Sequence, residues 1–336
     1  MSENLNEKTQ NENNAPDEGI WDEEIEQESQ GEDIVFEVDD ELSGNRLDKA
    51  VSTRLDISRK RVSDLLEEGR ILVDGKPVKA SSKLRSGMKV EVDLPPVKTL
   101  EILPEEMDLD IVYEDDDVIV VNKPKGMVVH PAPGHPDHTL VNGLLAHCKT
   151  LSGINGVARL GIVHRIDKDT SGLIVAAKND KAHQALAEQL ADKTCSRTYR
   201  AIVHHPFSHI IGTINAPIGR DEKDRQKMGV TAKNSKPAVT HFAVLENFKD
   251  YAYLECRLET GRTHQIRVHM AYIGHPIAGD PKYGPRKTIE AGGQLLHAIA
   301  LEFNHPTTGE RMHFEAPLDP KFQEVLDELE REKEQE

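Results

Sequence analysis

The stretch Ala-Tyr-Leu-Glu-Cys-Arg-Leu-Glu at 252–259 alternates apolar and polar residues without a break. Ala252, Leu254, Cys256 and Leu258 fall on one side, and Tyr253, Glu255, Arg257 and Glu259 on the other. A period of two predicts a half-buried antiparallel strand, one face on a core and one toward water. Upstream, Val118-Ile119-Val120-Val121 and Gly172–Lys178 are apolar runs of strand length. An amphipathic helix is expected over 181–190, where Ala182, Leu186 and Leu190 share a side. Between 100 and 318 strands outnumber helices, and no regular helix separates one strand from the next. That order predicts an α+β domain on a mixed, largely antiparallel sheet, not a doubly wound one. No internal repeat is visible.

A smaller α/β unit is expected at 43–95. Leu47, Ala50, Val51 and Leu55 recur at helical spacing. Ser58 suits a helix N-cap, Val62, Leu65 and Leu66 follow on one face, and Gly69 suits the stop. Ile71-Leu72-Val73 then runs into an Asp74-Gly75 turn, Met88–Leu94 alternates as a second strand, and Pro95-Pro96 closes the unit. Its basic residues Arg54, Arg59, Lys60 and Arg61 gather near the start of the second helix. A helix N-terminus with adjacent cations suits a phosphate.

The 336 residues carry a formal net charge of −17. That figure belongs to the ends of the chain. Residues 1–42 hold 16 acids and one lysine, and 319–336 hold 8 acids and 3 bases. The body between them has 38 bases against 35 acids, so overall acidity is weak evidence against a nucleic-acid partner. Residues 1–42 read as an acidic disordered tail, and 319–336 as an acidic C-terminal helix or tail. No run of about 18 apolar residues exists, so no membrane span or membrane partner is expected. The beginning of the chain lacks the basic-then-apolar pattern of a secretory signal. Three cysteines, Cys148, Cys195 and Cys256, are scattered and odd in number. They exclude a disulfide framework and a CxxC zinc site, and fit a cytoplasmic protein.

Chemistry concentrates in Gly161-Ile-Val-His164-Arg165-Ile166-Asp167-Lys168-Asp169-Thr170-Ser171-Gly172, ahead of the apolar run Leu173–Ala177. Catalytic groups commonly sit in such connections on rigid scaffolds. A hydrogen-bonded turn that stabilises itself through Asp169, Thr170 and Ser171 fits the same residues. A kinase loop is rejected, because Ile166 separates Arg165 from Asp167 and no G-x-G-x-x-G or D-F-G is present. Asp167 and Asp169 as a paired-carboxylate hydrolase stay open at this level. Other segments weigh less. His130, His135 and His138 lie in a Pro-rich loop with no convincing metal partner, and His264 and His269 are five apart, not the four of a one-face zinc pair. The first group reads as part of a rigid connection, the second pair as histidines hydrogen-bonding within the site or to phosphate, and no metal is expected. Gly292-Gly293-Gln294 matches the tripeptide of translation release factors over three residues only, and 219–225 reads as an exposed charged loop.

The run HRIDKDTSG (164–172) closely resembles the H-R-L-D-x-x-T-S-G motif of the RluA-type pseudouridine synthases, with Ile166 for the leucine. DDDVIVVNKPKGMVVHP (115–131), SRTYRAIV (196–203), LETGRTHQIRVHMAYIGHPIAGDPKYG (258–284) and QLLHAIALEFNHPTTGE (294–310) resemble further motifs of that family, in the same order. The runs RLDKAV, ISRKRVSDLLEEGRILVDGKPV and GMKVEV between 46 and 92 resemble the S4 RNA-binding domain. The resemblance implies a pseudouridine synthase fold over 100–318 and an isomerase acting on large-subunit ribosomal RNA as a monomer. It implies Asp167 as the catalytic residue, Arg267 as its electrostatic partner and Tyr199 as the ring that stacks on uracil. His164, Arg165 and Thr170 are implied around the substrate, with Arg165 filling the gap left by a flipped base. Leu295 or Leu296 would pack on the uracil, and Arg59, Lys60 and Arg61 would meet RNA. Isomerising uridine breaks C1′–N1 and makes C1′–C5 with no redox change, so no cofactor is expected. Two other readings remain: an RNA-binding assembly factor with a degenerate catalytic domain, and a tRNA-directed enzyme of the same family.

Overall fold

The structure is a computed structural model. It describes residues 32–55, 57, 59–95, 102–132, 134–155, 159–221, 224 and 227–335. These fall into two compact units, one within 32–95 and one from Ile102 onward.

The small unit runs β1 (Glu32–Glu37), α1 (Leu47–Leu55), α2 (Arg59–Glu67), β2 (Ile71–Val73), β3 (Lys76–Pro77) and β4 (Lys89–Leu94). Its antiparallel sheet has the order β1-β4-β2-β3. Leu47, Ala50 and Val51 from α1 and Val62 and Leu65 from α2 are buried against Ile71, Val90 and Val92 of the sheet. The stop after α2 is a Schellman arrangement, with Gly69 at φ 73° and the Arg70 N–H donating to Leu65 O at 2.8 Å. Asp74 and Gly75 both have positive φ, as a tight hairpin requires. One boundary differs from the sequence reading. Residues 32–42 were expected in the acidic tail, yet 32–37 form β1, which pairs with β4 from Glu32↔Leu94 to Glu37↔Lys89. Phe36 and Val38 are buried, and the acids beside them conceal this alternation from a composition count. The rest of that tail, residues 1–31, lies outside the described residues, as does Ser58.

The large unit contains β5 (Ile111–Glu114), β6 (Val118–Lys123), α3 (Leu140–His147), β7 (Ser171–Ala177), α4 (Asp180–Ala191), β8 (Ser196–His204) and β9 (Ile211–Asn215). Then come β10 (Ile218–Arg220), β11 (Met228–Val230), β12 (Ser235–Lys236), β13 (Val239–Asn247), β14 (Tyr251–Leu258), α5 (Gln265–Tyr272), β15 (Leu296–Asn304), β16 (Arg311–Glu315) and α6 (Pro320–Glu334). A sheet of nine strands has the order β5-β6-β7-β15-β8-β14-β13-β9, with β16 joining β15. Among the described residues only β7–β15 is parallel, over His297↔Ser171 and Ala298↔Gly172. The sheet is therefore mixed and largely antiparallel, as the strand pattern implied. At this crossing a Cβ on Gly172 would sit 2.3 Å from Ala298 O, so only glycine lets β7 and β15 meet.

β7 is buried along its whole length because both faces of the sheet are covered. Ile174 and Ala176 join a core with Leu140 and Leu144 of α3 and Ile266 and Met270 of α5. Leu173, Val175 and Ala177 join a second core with Ala182, Leu186 and Leu190 of α4. The strand expected at 252–259 is β14, with Ala252, Leu254 and Cys256 fully buried. Its opposite side is partly covered, with Arg257 exposed. Tyr253 meets Phe322 of α6, with ring centroids 6.1 Å apart. Phe322, Val325, Leu326 and Leu329 dock α6 on this unit, and Asp319 caps it by accepting from the Lys321 and Phe322 N–H groups. The acidic terminus is thus a helix of the large unit.

Candidate active site

The loop that carries Asp167 leads into β7, and it is fastened on two sides. On one, Lys123 at the end of β6 donates to Pro124 O (2.8 Å), Met127 O (2.8 Å) and Lys168 O (3.1 Å). Lys123 is completely buried, and burial lowers its ammonium to about 7. On the other side, Gln294 donates to Thr170 Oγ1 (3.1 Å), and Ser171 Oγ lies 2.9 Å from His297 Nδ1. Lys125 holds the carbonyls of Ala291 (2.6 Å) and Gly293 (3.2 Å). Gly293 has φ 127°, and a Cβ there would sit 2.7 Å from Asp169 Cβ. The tripeptide Gly292-Gly293-Gln294 is accordingly a clasp for this loop. Within the loop, the Thr170 N–H donates to Asp167 O at 3.1 Å and closes a turn around the carboxylate.

Asp167 Oδ2 accepts from Arg267 Nη1 at 2.8 Å. Arg267 projects from the first turn of α5 and is gripped from behind by Asp280, Nε to Oδ2 at 2.7 Å and Nη2 to Oδ1 at 2.9 Å. Asp280 Oδ1 also accepts the N–H groups of Lys282 (2.9 Å) and Tyr283 (3.1 Å). The guanidinium lies 5.1 Å from the Tyr283 ring centroid, and the Tyr283 hydroxyl lies 2.8 Å from His264 Nδ1. Side-chain exposure is 0% for Asp280, 6% for Arg267 and 18% for Asp167, so the chain of charges opens at Asp167. Burial alone would raise the Asp167 carboxyl. His264, Arg267 and Arg165, together with the Arg267 hydrogen bond, outweigh it and hold the group below the usual carboxylate range. Burial in turn lowers His264, so Arg267 supplies the permanent charge at neutral pH.

Asp167, Arg267, Tyr199, Arg165 and Thr170 line a single cleft that is open to solvent. Tyr199 comes from β8 and is 5% exposed, and burial raises its hydroxyl to about 12, so it stays protonated at neutral pH. Arg165 makes no hydrogen bond or ion pair with another described residue. Two expected neighbours are elsewhere. His164 is buried beneath the loop, where its Nε2 accepts the Val175 N–H at 3.1 Å, and burial lowers it to about 3. Leu295 is 1% exposed and packs with Phe322 and Val325 of α6. Strand alternation gives the cleft Leu296 instead. Asp169 packs against Gly293 and does not line the cleft, which removes the paired-carboxylate arrangement.

Among the other histidines, His269 is buried with Nδ1 at 2.8 Å from Thr240 Oγ1 and Nε2 at 2.9 Å from Ala216 O, a structural pairing. His130 is buried and lowered to about 3. Glu105, Asp137 and His138 bring ligand atoms within 4.8 Å of one another, away from the cleft lining. Of the charged loop 219–225, residues 222, 223 and 225 lie outside the described residues.

In the small unit, Asp48 takes Arg46 at 3.0 Å and Arg59 at 2.5 Å. Hydrogen bonding from Arg46, helped by Arg59 against the effect of burial, lowers Asp48 to about 2. Arg59 is therefore engaged within its own unit, Arg61 also has an interaction, and the Lys60 side chain lies outside the described residues. Sequence reading missed Asp280, Tyr283, Arg197 and the clasp residues Lys123 and Gln294. Each stands inside a quoted motif segment, but only contacts between distant segments reveal what it does.

The chain is similar to known proteins over most of its length. Residues 117–272 match the family described as RNA pseudouridylate synthase, and residues 45–90 match the S4 domain. An uncharacterized RNA pseudouridine synthase of Bacillus subtilis (strain 168) is 60% identical over 291 residues, 86% of this chain and 96% of the relative. The ribosomal large subunit pseudouridine synthase D of Neisseria meningitidis serogroup A is 48% identical over 301 residues, 85% of this chain and 79% of the relative. The solved structure of human RNA pseudouridylate synthase domain containing 4 superposes with a TM-score of 0.52 at 25% identity, covering 66% of this chain and 92% of that one.

Proposed function

We propose that this chain, which belongs to the RNA pseudouridine synthase family and is therefore an isomerase, converts uridines of large-subunit ribosomal RNA to pseudouridine with Asp167 as its catalytic carboxylate. The observation that carries the reading is the Asp167–Arg267 contact of 2.8 Å at the mouth of a cleft also lined by Tyr199. The reaction needs an ionised carboxylate next to C1′ and the pyrimidine ring, whichever of the two it attacks or deprotonates. Arg267 keeps that carboxylate charged although the site is largely buried, and Asp280 keeps Arg267 aimed.

The target uridine must leave its stack to expose both sugar and base. Tyr199 would stack on the everted ring, a contact worth roughly 1–3 kcal/mol. Arg165, which lines the cleft, is suited to fill the space vacated in the RNA. The S4 unit adds backbone affinity and orientation, while base selection belongs to the cleft. The target named for the Neisseria relative supports ribosomal RNA as substrate. The buried free cysteines suit a reducing compartment such as the cytoplasm.

The test is tritium release from large-subunit ribosomal RNA transcribed with uridine labelled at C5, with no added cofactor. Wild-type protein is expected to release tritium. Asp167→Asn should lower the rate on the order of 10⁴-fold or more while binding the RNA normally. Turnover retained in that variant removes Asp167 from the chemistry, and release only from transfer RNA moves the substrate class.

A further inference from the structure

Arg197 is a buried cation in the cleft that the mechanism above does not use. It lies two residues before Tyr199 on β8, so both side chains project from the same face of the strand. Arg197 is 6% exposed, and its Nε is buried without a hydrogen-bond partner among the described residues. No carboxylate is paired with it there. The groups that feel its charge are His164, Cys195 and Tyr199, and burial keeps all three neutral at neutral pH. A guanidinium is costly to bury unless an acceptor compensates it, and folded proteins rarely leave one unpaired. The backbone makes room for it. A Cβ on Gly261 would sit 2.6 Å from Nη1 of Arg197, so the glycine lets the planar group rest against the loop at the cleft wall.

We propose that Arg197 donates to a carbonyl oxygen of the everted uracil and stabilises the anion formed when the glycosidic bond breaks. The inference rests on the pseudouridine synthase reading of the cleft and extends it to one more substrate contact. Cleavage of C1′–N1 leaves its electron pair on uracil, where the charge spreads over O2 and O4. C5 then bonds to C1′, the C5 proton departs to solvent, and N1 takes up a proton. Nothing is oxidised or reduced. A preorganised donor aimed at developing oxygen charge is what this step needs. The depth of Arg197 and its place beside the stacking ring favour the base as partner, because the phosphates remain on the strand at the mouth.

The experiment compares wild type, Arg197→Met and Gly261→Ala on the same C5-tritiated ribosomal transcript, under single-turnover conditions. Arg197→Met should lower the rate about 10²–10³-fold, leave RNA affinity and its salt dependence unchanged, and melt at the same or a higher temperature, since an unpaired buried charge is removed. Gly261→Ala keeps the charge but displaces the guanidinium, and its rate should fall by up to about 10²-fold. An Arg197→Met protein that unfolds or melts lower makes Arg197 a packing residue and overturns the proposal. A salt slope shallower by about one makes it a phosphate contact and overturns it too. So does a Gly261→Ala enzyme that turns over normally. Silent wild-type protein would remove the underlying reading instead, whereas active wild type beside equally active Arg197→Met removes only the role of Arg197.

Discussion

Both units contain arginine–aspartate clusters, and those centred on Arg267 and Asp48 are built in opposite proportion. In the large unit a single guanidinium, Arg267, stands between two carboxylates, Asp167 and Asp280. In the small unit a single carboxylate, Asp48, stands between two guanidiniums, Arg46 and Arg59. The surroundings differ as much. Arg267 is 6% exposed, whereas Arg46 and Arg59 are 52% and 58% exposed. The same pair of ionised groups therefore has two outcomes. Buried, it fixes a carboxylate in the charged form and a defined position. Around Asp48 the carboxylate is buried but both arginines stand in water, so solvent and salt screen part of the attraction, and the arginines remain within reach of other anions.

Removing the central member of each cluster puts this contrast to the test. The largest effect belongs to Arg267→Met. It leaves Asp280 buried without its counter-charge, and breaking a buried pair in this way costs about 3–5 kcal/mol. Denaturant unfolding of the full chain should show that loss in the transition of the large unit, with turnover lost as well. A variant that unfolds at the wild-type midpoint would mean that the buried cluster is as soft as the exposed one.

A smaller effect is expected in the pH profile. The folded-state carboxyl of Asp167 lies below its ordinary value, so it is ionised at every pH above the normal carboxylate value of about 4. Its contribution to stability is present above that value and disappears only as pH falls through the lower folded value. Wild-type turnover should accordingly stay level from neutrality down to about pH 4 and decline below it. Where Arg267→Lys retains measurable activity, its acid limb should move upward, because a single ammonium replaces a two-sided guanidinium. A limb that stays in place would show that Arg267 does not control the charge of Asp167.

The smallest effect belongs to Asp48→Asn. Stability should fall less than for Arg267→Met, because Asp48 is buried but both partner arginines are exposed and screened. RNA binding should respond more visibly. Two released guanidiniums can steepen the dependence of log affinity on log salt by as much as about 2. An unchanged slope, measured by titration at several salt concentrations, would mean that this face meets no phosphate.

How far the sequence spoke depended on where the information lies along the chain. The alternation at 252–259 and the apolar run before Lys178 predicted their strands, since period and burial are local. The motif around Asp167 is local as well, but it was the resemblance to a family motif, not polarity or period, that singled out the carboxylate. Asp280 could not be chosen in this way, because its role exists only where it grips Arg267 from a separate segment. Leu295 and Leu296 are equivalent as letters, and only the pleat of β15 decides which one reaches the cleft. His164 lies inside the motif yet serves Val175 from below. The first strand was overlooked because Glu32, Asp33 and Glu37 made an edge strand resemble the acidic tail before it.

The clasp of residues 291–297 on the Asp167 loop has a consequence for timing. The loop is finished by Gln294 meeting Thr170 and His297 meeting Ser171, partners separated by more than 120 positions. Such distant closure is slow compared with local structure, since loop entropy is lost before the contact is gained. A chain emerging from the ribosome can lay down β6, β7 and α4 long before this segment exists. Competence is then among the last properties the molecule acquires, and a half-made copy carries the aspartate without the means to hold it in place.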